Sequence, residues 1–166
     1  MSNPIHYTAS WGTPLKLITA VGSLVVLGAT ALCLFAPLNG PPWLHLFAAL
    51  PLAILVACMM QMVRGYRLSS GTLEVIRLWW TTRVELRGLT TAALDPRACK
   101  GSLRVWGNGG FFVFSGQFSN ATLGSYELFA TDLSRAVVLR LPQRTVVVTP
   151  DQPEQFIRDV LQLRSA

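Results

Sequence analysis

No acidic residue precedes Glu74, and the first 65 residues carry only two basic ones, Lys16 and Arg64. The whole chain is 13% charged and 51% hydrophobic. Ordinary soluble domains are roughly a quarter charged, so this composition argues against one uniform water-soluble body. Residues 66–166 hold the remaining 12 of the 14 basic residues and all 8 acidic ones, which divides the net charge of +6 into +2 and +4. Two solvents are implied, lipid first and water second.

Histidine is almost as scarce. His6 lies in the N-terminal tail and His45 in an apolar run. A Ser-His-Asp or Cys-His set needs an imidazole beside its nucleophile, and a metal centre needs several ligands. Neither can be assembled in the water-facing part. The three cysteines, Cys33, Cys58 and Cys99, have no metal-site or redox spacing, which fits a reducing compartment. No Gly-Lys-Ser/Thr element is present, so a Walker-type phosphate loop is absent. The expectation is no catalytic residue, no metal and no cofactor.

What is present begins with two uncharged runs, the 20 residues Leu17–Ala36 and the 21 residues Trp43–Val63. Each would be about 30 Å long as a helix, the thickness of a bilayer core. A pair of buried core helices is the alternative. Trp11, Trp43 and Tyr66 lie near the expected interfaces. The first run exceeds the usual apolar core of a signal peptide and a second run follows it. Leu32 before Cys33 spoils a lipoprotein cleavage box. An uncleaved hairpin is expected, with spans near 17–36 and 43–63. The link Pro37–Pro42 is short and helix-breaking, which makes the helices antiparallel. Lys16, Arg64 and Arg67 flank the outer ends while the link has no basic residue. The basic side faces the cytoplasm by the positive-inside tendency. This predicts a multi-pass inner-membrane protein with both termini cytoplasmic.

Residues 66–166 read as short strands and turns. Expected strands are Tyr66–Leu68, Leu73–Leu78, Trp80–Leu86, Leu89–Leu94, Ser102–Trp106, Phe111–Phe114, Thr122–Thr131, Ala136–Leu141 and Thr145–Val148. Within the third, Trp80, Thr82, Val84 and Leu86 share one face, and Thr81, Arg83, Glu85 and Arg87 the wet one. The period then changes to 3.6. Asp151 and Glu154 have capping-box spacing, and Phe156, Ile157, Val160 and Leu161 line a helix face over about 152–163. The expected division is 1–65 for tail and membrane hairpin and 66–166 for the β domain.

The stretches "GNGGFFVFSGQFSNATLGSYELFATD" (Gly107–Asp132) and "RTVVVTPDQPEQFI" (Arg144–Ile157), with the order two spans, strand-rich domain, one helix, resemble bacterial pleckstrin-homology-like membrane proteins. The resemblance implies a membrane-anchored α+β chain. Its β part would be a seven-stranded, strongly bent antiparallel barrel capped by the C-terminal helix. It implies an architecture and no reaction.

The glycines of "RVWGNGGFFVFSGQF" fail the dinucleotide pattern, because Phe112 stands where a third glycine is required. Asn108–Gly109 fits a two-residue hairpin turn instead, and Gly116 a bulge. Glu74, Glu85, Glu127 and Asp132 alternate with arginines, as solvated cross-strand ion pairs do. His45 and Gln61 read as interfacial rather than as a transport path, and Gly22, Gly28 and Ala29 offer a small-residue helix face.

Arg64, Arg67, Arg77, Arg83 and Arg87 follow closely after the second run and are the candidate lipid-headgroup contacts. The first hairpin loop, Ser69–Thr72, has no basic cluster, which argues against specific phosphoinositide recognition. No basic cluster interleaves with aromatics, so nucleic acid is not an expected partner. The functional expectation is a non-enzymatic module at the inner membrane face that binds a protein or peptide. The alternatives are an anionic-lipid sensor and an accessory subunit of a transporter or envelope-biogenesis complex. The bilayer and a protein are the expected partners.

The topology has a direct check. A reporter active only in the cytoplasm should work when fused after Ala166 and be silent when inserted at Asn39. Equal activity at both positions overturns the hairpin.

Overall fold

A computed structural model describes residues 4–35 and 44–164. The Pro37–Pro42 link, Trp43 and the side chain of His45 lie outside the described residues. The chain opens with a strand, β1 (Ile5–Thr8), and then two helices, α1 (Thr13–Phe35) and α2 (Leu44–Met60). The 21-residue stretch Thr13–Cys33 of α1 contains an 18-residue window of mean hydropathy 1.9. It is, among the described residues, the one helix long and apolar enough to cross a membrane, and its position near the N-terminus suits a span or a signal sequence. Leu17, Leu24, Val25 and Leu32 stand exposed together on one side of it, Leu24 at 73%, while Thr19 and Thr30 are buried on the other. The outward side of α1 is therefore apolar. α2 is equally apolar but has 17 residues, about 26 Å, and contains Pro51. The uncharged run Trp43–Val63 is longer than this helix, because Val63 already belongs to the next strand.

That strand is β2 (Val63–Ser69), followed by β3 (Thr72–Arg77), β4 (Thr81–Glu85), β5 (Thr91–Leu94), β6 (Leu103–Gly109), β7 (Phe114–Asn120), β8 (Gly124–Ala130), β9 (Val137–Arg140) and β10 (Thr145–Val148). A last helix, α3, spans Pro153–Arg164. The fold is α+β, but the expected closed barrel is not formed. The strands make a four-stranded sheet, β1-β2-β3-β4, and a six-stranded sheet, β5-β9-β10-β8-β7-β6, with β8 and β10 parallel. The break lies between β4 and β5. Gly88 turns the chain at a φ of +76°, and Thr90 N and Asp95 N then donate to Arg140 O and Ala136 O. β5 is thereby drawn onto β9 and not onto β4.

The two sheets share one core. Tyr66, Leu68, Leu73, Val75 and Val84 meet Phe129, Val137, Leu139, Val146 and Val148, with Phe156 and Val160 of α3 against them. A second cluster, including Phe118, Tyr126, Leu128, Val138 and Val147, packs on the other face of the six-stranded sheet. β10 is thus buried on both faces, which is why "TVVV" shows no polar alternation.

The N-terminal tail is part of this body. β1 pairs antiparallel with β2, Tyr7 opposite Tyr66. The sheet thus includes residues on both sides of the helices and is not confined to 66–166. The Tyr7 ring meets Phe156 edge-on at 5.1 Å, and its hydroxyl donates to Asp159. Asp151 does not act as the expected cap of α3. Phe156 N bonds Gln152 O, which puts the cap at Gln152. The Asp151 carboxylate accepts from Thr8 Oγ1 (2.5 Å), Ser10 N (2.9 Å), Ser10 Oγ (2.8 Å) and Arg135 (2.8 Å). Burial alone would raise its pKa; these hydrogen bonds and Arg135 outweigh it and hold the carboxyl below its usual value. A depressed carboxyl stabilises the fold above its unfolded pKa of about 3.9, and that stability is lost as pH falls through the folded value.

Asp151→Asn should cost about 1–3 kcal/mol at neutral pH by loss of charge-assisted bonds. The deficit against wild type, read from thermal unfolding, should shrink toward zero as pH falls below about 4. A deficit independent of pH overturns the clamp. Phe156→Ala, at a fully buried ring, should cost about 3–5 kcal/mol; a loss under about 1 kcal/mol would place the ring at the surface.

Candidate functional site

β2 leaves the end of α2 and runs about 20 Å outward to the turn at Ser70–Gly71. This spreads the five candidate arginines along the sheet. Arg64 sits at the helix end and is exposed. Arg67 and Arg83 flank Glu74 in register across three strands and bond its two oxygens at 3.3 and 3.1 Å. Arg77 lies over the rings of Trp80 (5.4 Å) and Phe129 (5.2 Å). It donates to Gln61 O and Thr82 Oγ1, both at 3.2 Å, which places its charge at the carbonyl end of α2 where a cation is favoured. Burial lowers its pKa. Arg87 follows Leu86, whose N–H bonds Gly71 O, at the opposite end of the sheet. The five do not gather in one patch, and three are engaged with protein groups. Three of the four expected carboxylates form ion pairs: Glu74 as above, Glu127 with Arg144 at 3.5 Å and Asp132 with Arg135 at 3.6 Å, while Glu85 lies opposite Thr72.

The glycine-rich stretch forms the β6–β7 hairpin, but not with the expected turn. Pairing continues through Asn108 opposite Ser115 and Gly109 opposite Phe114, so the turn is the four residues 110–113. Gly110 and Phe112 have positive φ there, +117° and +66°. The reason is Asn108, which is buried. Its Oδ1 accepts from Gly110 N (3.3 Å) and Phe111 N (2.9 Å), and its Nδ2 donates to Phe111 O (2.7 Å). Phe112 N donates to Thr19 Oγ1 of α1 at 3.0 Å. The amides that would cradle a phosphate are already taken. Gly107 opposes Gly116, and a Cβ on either would lie 2.2 Å from the partner strand's carbonyl oxygen. Glycine is required there for the backbones to approach.

Among the described residues β6 is an edge strand whose outer side is unpaired. Leu103, Val105 and Trp106 are 76%, 64% and 79% exposed. Register shifts between Arg104 and Trp106, leaving Val105 as the extra residue of a bulge. Beside this edge runs a groove of about 350 Å³ lined by Cys99, Ser102, Arg104, Phe114, Phe118 and Tyr126. Ser102 Oγ and Tyr126 OH lie 2.6 Å apart, and Asn120 Nδ2 donates to Ser102 Oγ at 2.9 Å. Burial pushes the Tyr126 phenol up to about 12 and raises the Cys99 thiol. Both are neutral at pH 7, so Arg104 carries the groove's charge. The sequence reading placed Leu103–Trp106 on a strand but did not single it out. Its one available signal was "LRVW", three large apolar residues around one arginine without clean alternation.

Residues 64–164 match the family described as Bacterial PH domain. No curated protein and no solved structure matches the chain.

Proposed function

The chain belongs to the bacterial PH domain family, and we propose that it is a non-enzymatic binding module held at the inner membrane face by the α1–α2 hairpin, with both termini cytoplasmic. Its partner is a protein, bound as an extended segment along β6. The observation that carries this is the open, apolar β6 edge lying beside a groove. An unpaired edge offers a row of N–H and C=O groups, which proteins blunt with charged residues, proline or bulges. β6 has no lysine or proline, and only Arg104 and the bulge at Val105 interrupt it. An added strand would take its affinity from main-chain hydrogen bonds and its selectivity from side chains seated in the groove. Arg104 favours a partner segment with a carboxylate.

The anionic-lipid reading ranks second. Glu74 engages Arg67 and Arg83, and Arg77 sits between two rings. The helical anchor accounts for the exposed leucines and valines of α1, which water would not tolerate.

A photo-crosslinking side chain at Leu103, in intact membranes, should give a polypeptide adduct. Val105→Lys should reduce that adduct severalfold, because lysine on an edge disfavours strand addition. An adduct with lipid alone would put the anionic-lipid sensor first.

A further inference from the structure

We propose that the tip of the β6–β7 hairpin, residues 110–113, is itself embedded in the bilayer as a wedge seated on α1. The inference rests on the reading of α1 as a membrane span and adds a third inserted element to it. The position is set by two contacts. Phe112 N bonds Thr19 Oγ1. The Phe111 ring lies so close to Gly22 that a Cβ there would stand 2.7 Å from it. The uncharged run of α1 begins at Leu17, and Gly22 lies five residues further, about 8 Å along the helix. A tip touching Gly22 therefore reaches below the headgroups if α1 crosses.

Lipid imposes a demand that water does not: non-helical backbone must be satisfied by the protein itself. The tip meets it. The N–H groups of Gly110 and Phe111 reach Asn108 Oδ1, that of Phe112 reaches Thr19, and Gly110 N also donates to Val113 O. Phe111 O accepts from Asn108 Nδ2. An exposed loop in water would need none of this, yet here a buried asparagine and a helix threonine are committed to it, and a phenylalanine is held at positive φ, an unusual conformation for a bulky residue.

The surrounding aromatics have interfacial character. Trp11 meets the Phe112 ring at 6.1 Å. Trp106 lines a cavity with Cys58 and Gln61 at the end of α2. Trp79 is 76% exposed in the β3–β4 turn, which Leu78 N ties to Met62 O just after α2. Exposed tryptophans thus lie where the helices leave the sheets, the level at which their amphipathic rings are favoured.

The test uses the full chain in phosphatidylcholine–phosphatidylglycerol vesicles containing a phospholipid with a photoreactive diazirine on its acyl chain. After irradiation and digestion, adducts are expected on α1, on α2 and on the peptide containing Phe111 and Phe112. Adducts on α1 with none on that peptide overturn the wedge and leave the anchor standing. Adducts on neither overturn both. Gly22→Leu removes the seat for Phe111 and should lower tip labelling severalfold while α1 labelling persists; unchanged tip labelling overturns the seat. The wild-type measurement decides the question even if that variant fails to fold.

Discussion

One buried hydroxyl joins two sheets that no strand pairing closes. Tyr66, on β2 of the four-stranded sheet, is fully buried. Its OH donates to Phe129 O at the end of β8, 2.7 Å away, and accepts from Thr149 N just past β10 at 3.1 Å. Thr149 Oγ1 in turn accepts from Thr131 N at 2.9 Å. The parallel strands β8 and β10 end at the same level, and this chain of hydroxyls binds their ends to each other and to the opposite sheet. Burial pushes the Tyr66 phenol up to about 12, so it keeps the proton it donates. Such a bond is worth only about 1 kcal/mol net, but an unpaired buried partner costs more. The hydroxyl therefore fixes the angle between sheets whose packing energy comes from the apolar core.

The same corner holds the start of α1. Thr131 Oγ1 donates to Ser10 O, Gly12 N donates to Thr131 O, and Asp151 takes Thr8 and Ser10. The tail that precedes the helices and the strand that follows them are thus neighbours in one sheet. Both outer ends of α1 and α2 are fastened to one rigid body through β1 and β2. In the proposed membrane arrangement this fixes the height of the sheets above the lipid, because no free linker remains to let them tilt.

Most strands, the terminal helix and the two apolar runs were legible in the sequence, because alternation, a 3.6-residue period and missing charge are local signals; the strand expected at Phe111–Phe114 falls on the 110–113 turn, and β7 (Phe114–Asn120) was not expected. What was not legible depends on contacts distant in sequence. "IHYT" is too short to declare itself a strand, and its pairing is set by Tyr66 and Phe156. Asp151 has the spacing of a helix cap, yet donors 141 and 143 residues away won its oxygens. Asn108–Gly109 has the residues of a two-residue turn, but the Asn108 side chain and Thr19, 93 residues from Phe112, stabilise a longer one. The open edge was hidden for the same reason: whether β6 has one neighbour or two is decided by where β5 goes. Gly88 and the Arg140 carbonyl decide that.

In the proposed membrane arrangement the β6–β7 hairpin spans two environments. Its tip touches α1, while Leu103 lies six residues back from Gly109, about 20 Å by strand rise. With the strand steep to the membrane, Leu103 lies well above Phe111, and one explanation does not serve both. The tip has most of its backbone groups satisfied by the protein, which is what lipid favours. The edge at Leu103–Trp106 keeps its outer backbone groups unpaired, which lipid would penalise and a partner strand would satisfy. Trp106, midway between them, suits the boundary. A wedge at one end of a strand and an open edge at the other let the bilayer set the orientation of the surface a partner must find. That lowers the ordering cost of binding, because a rigid edge at a defined height is organised before the partner arrives.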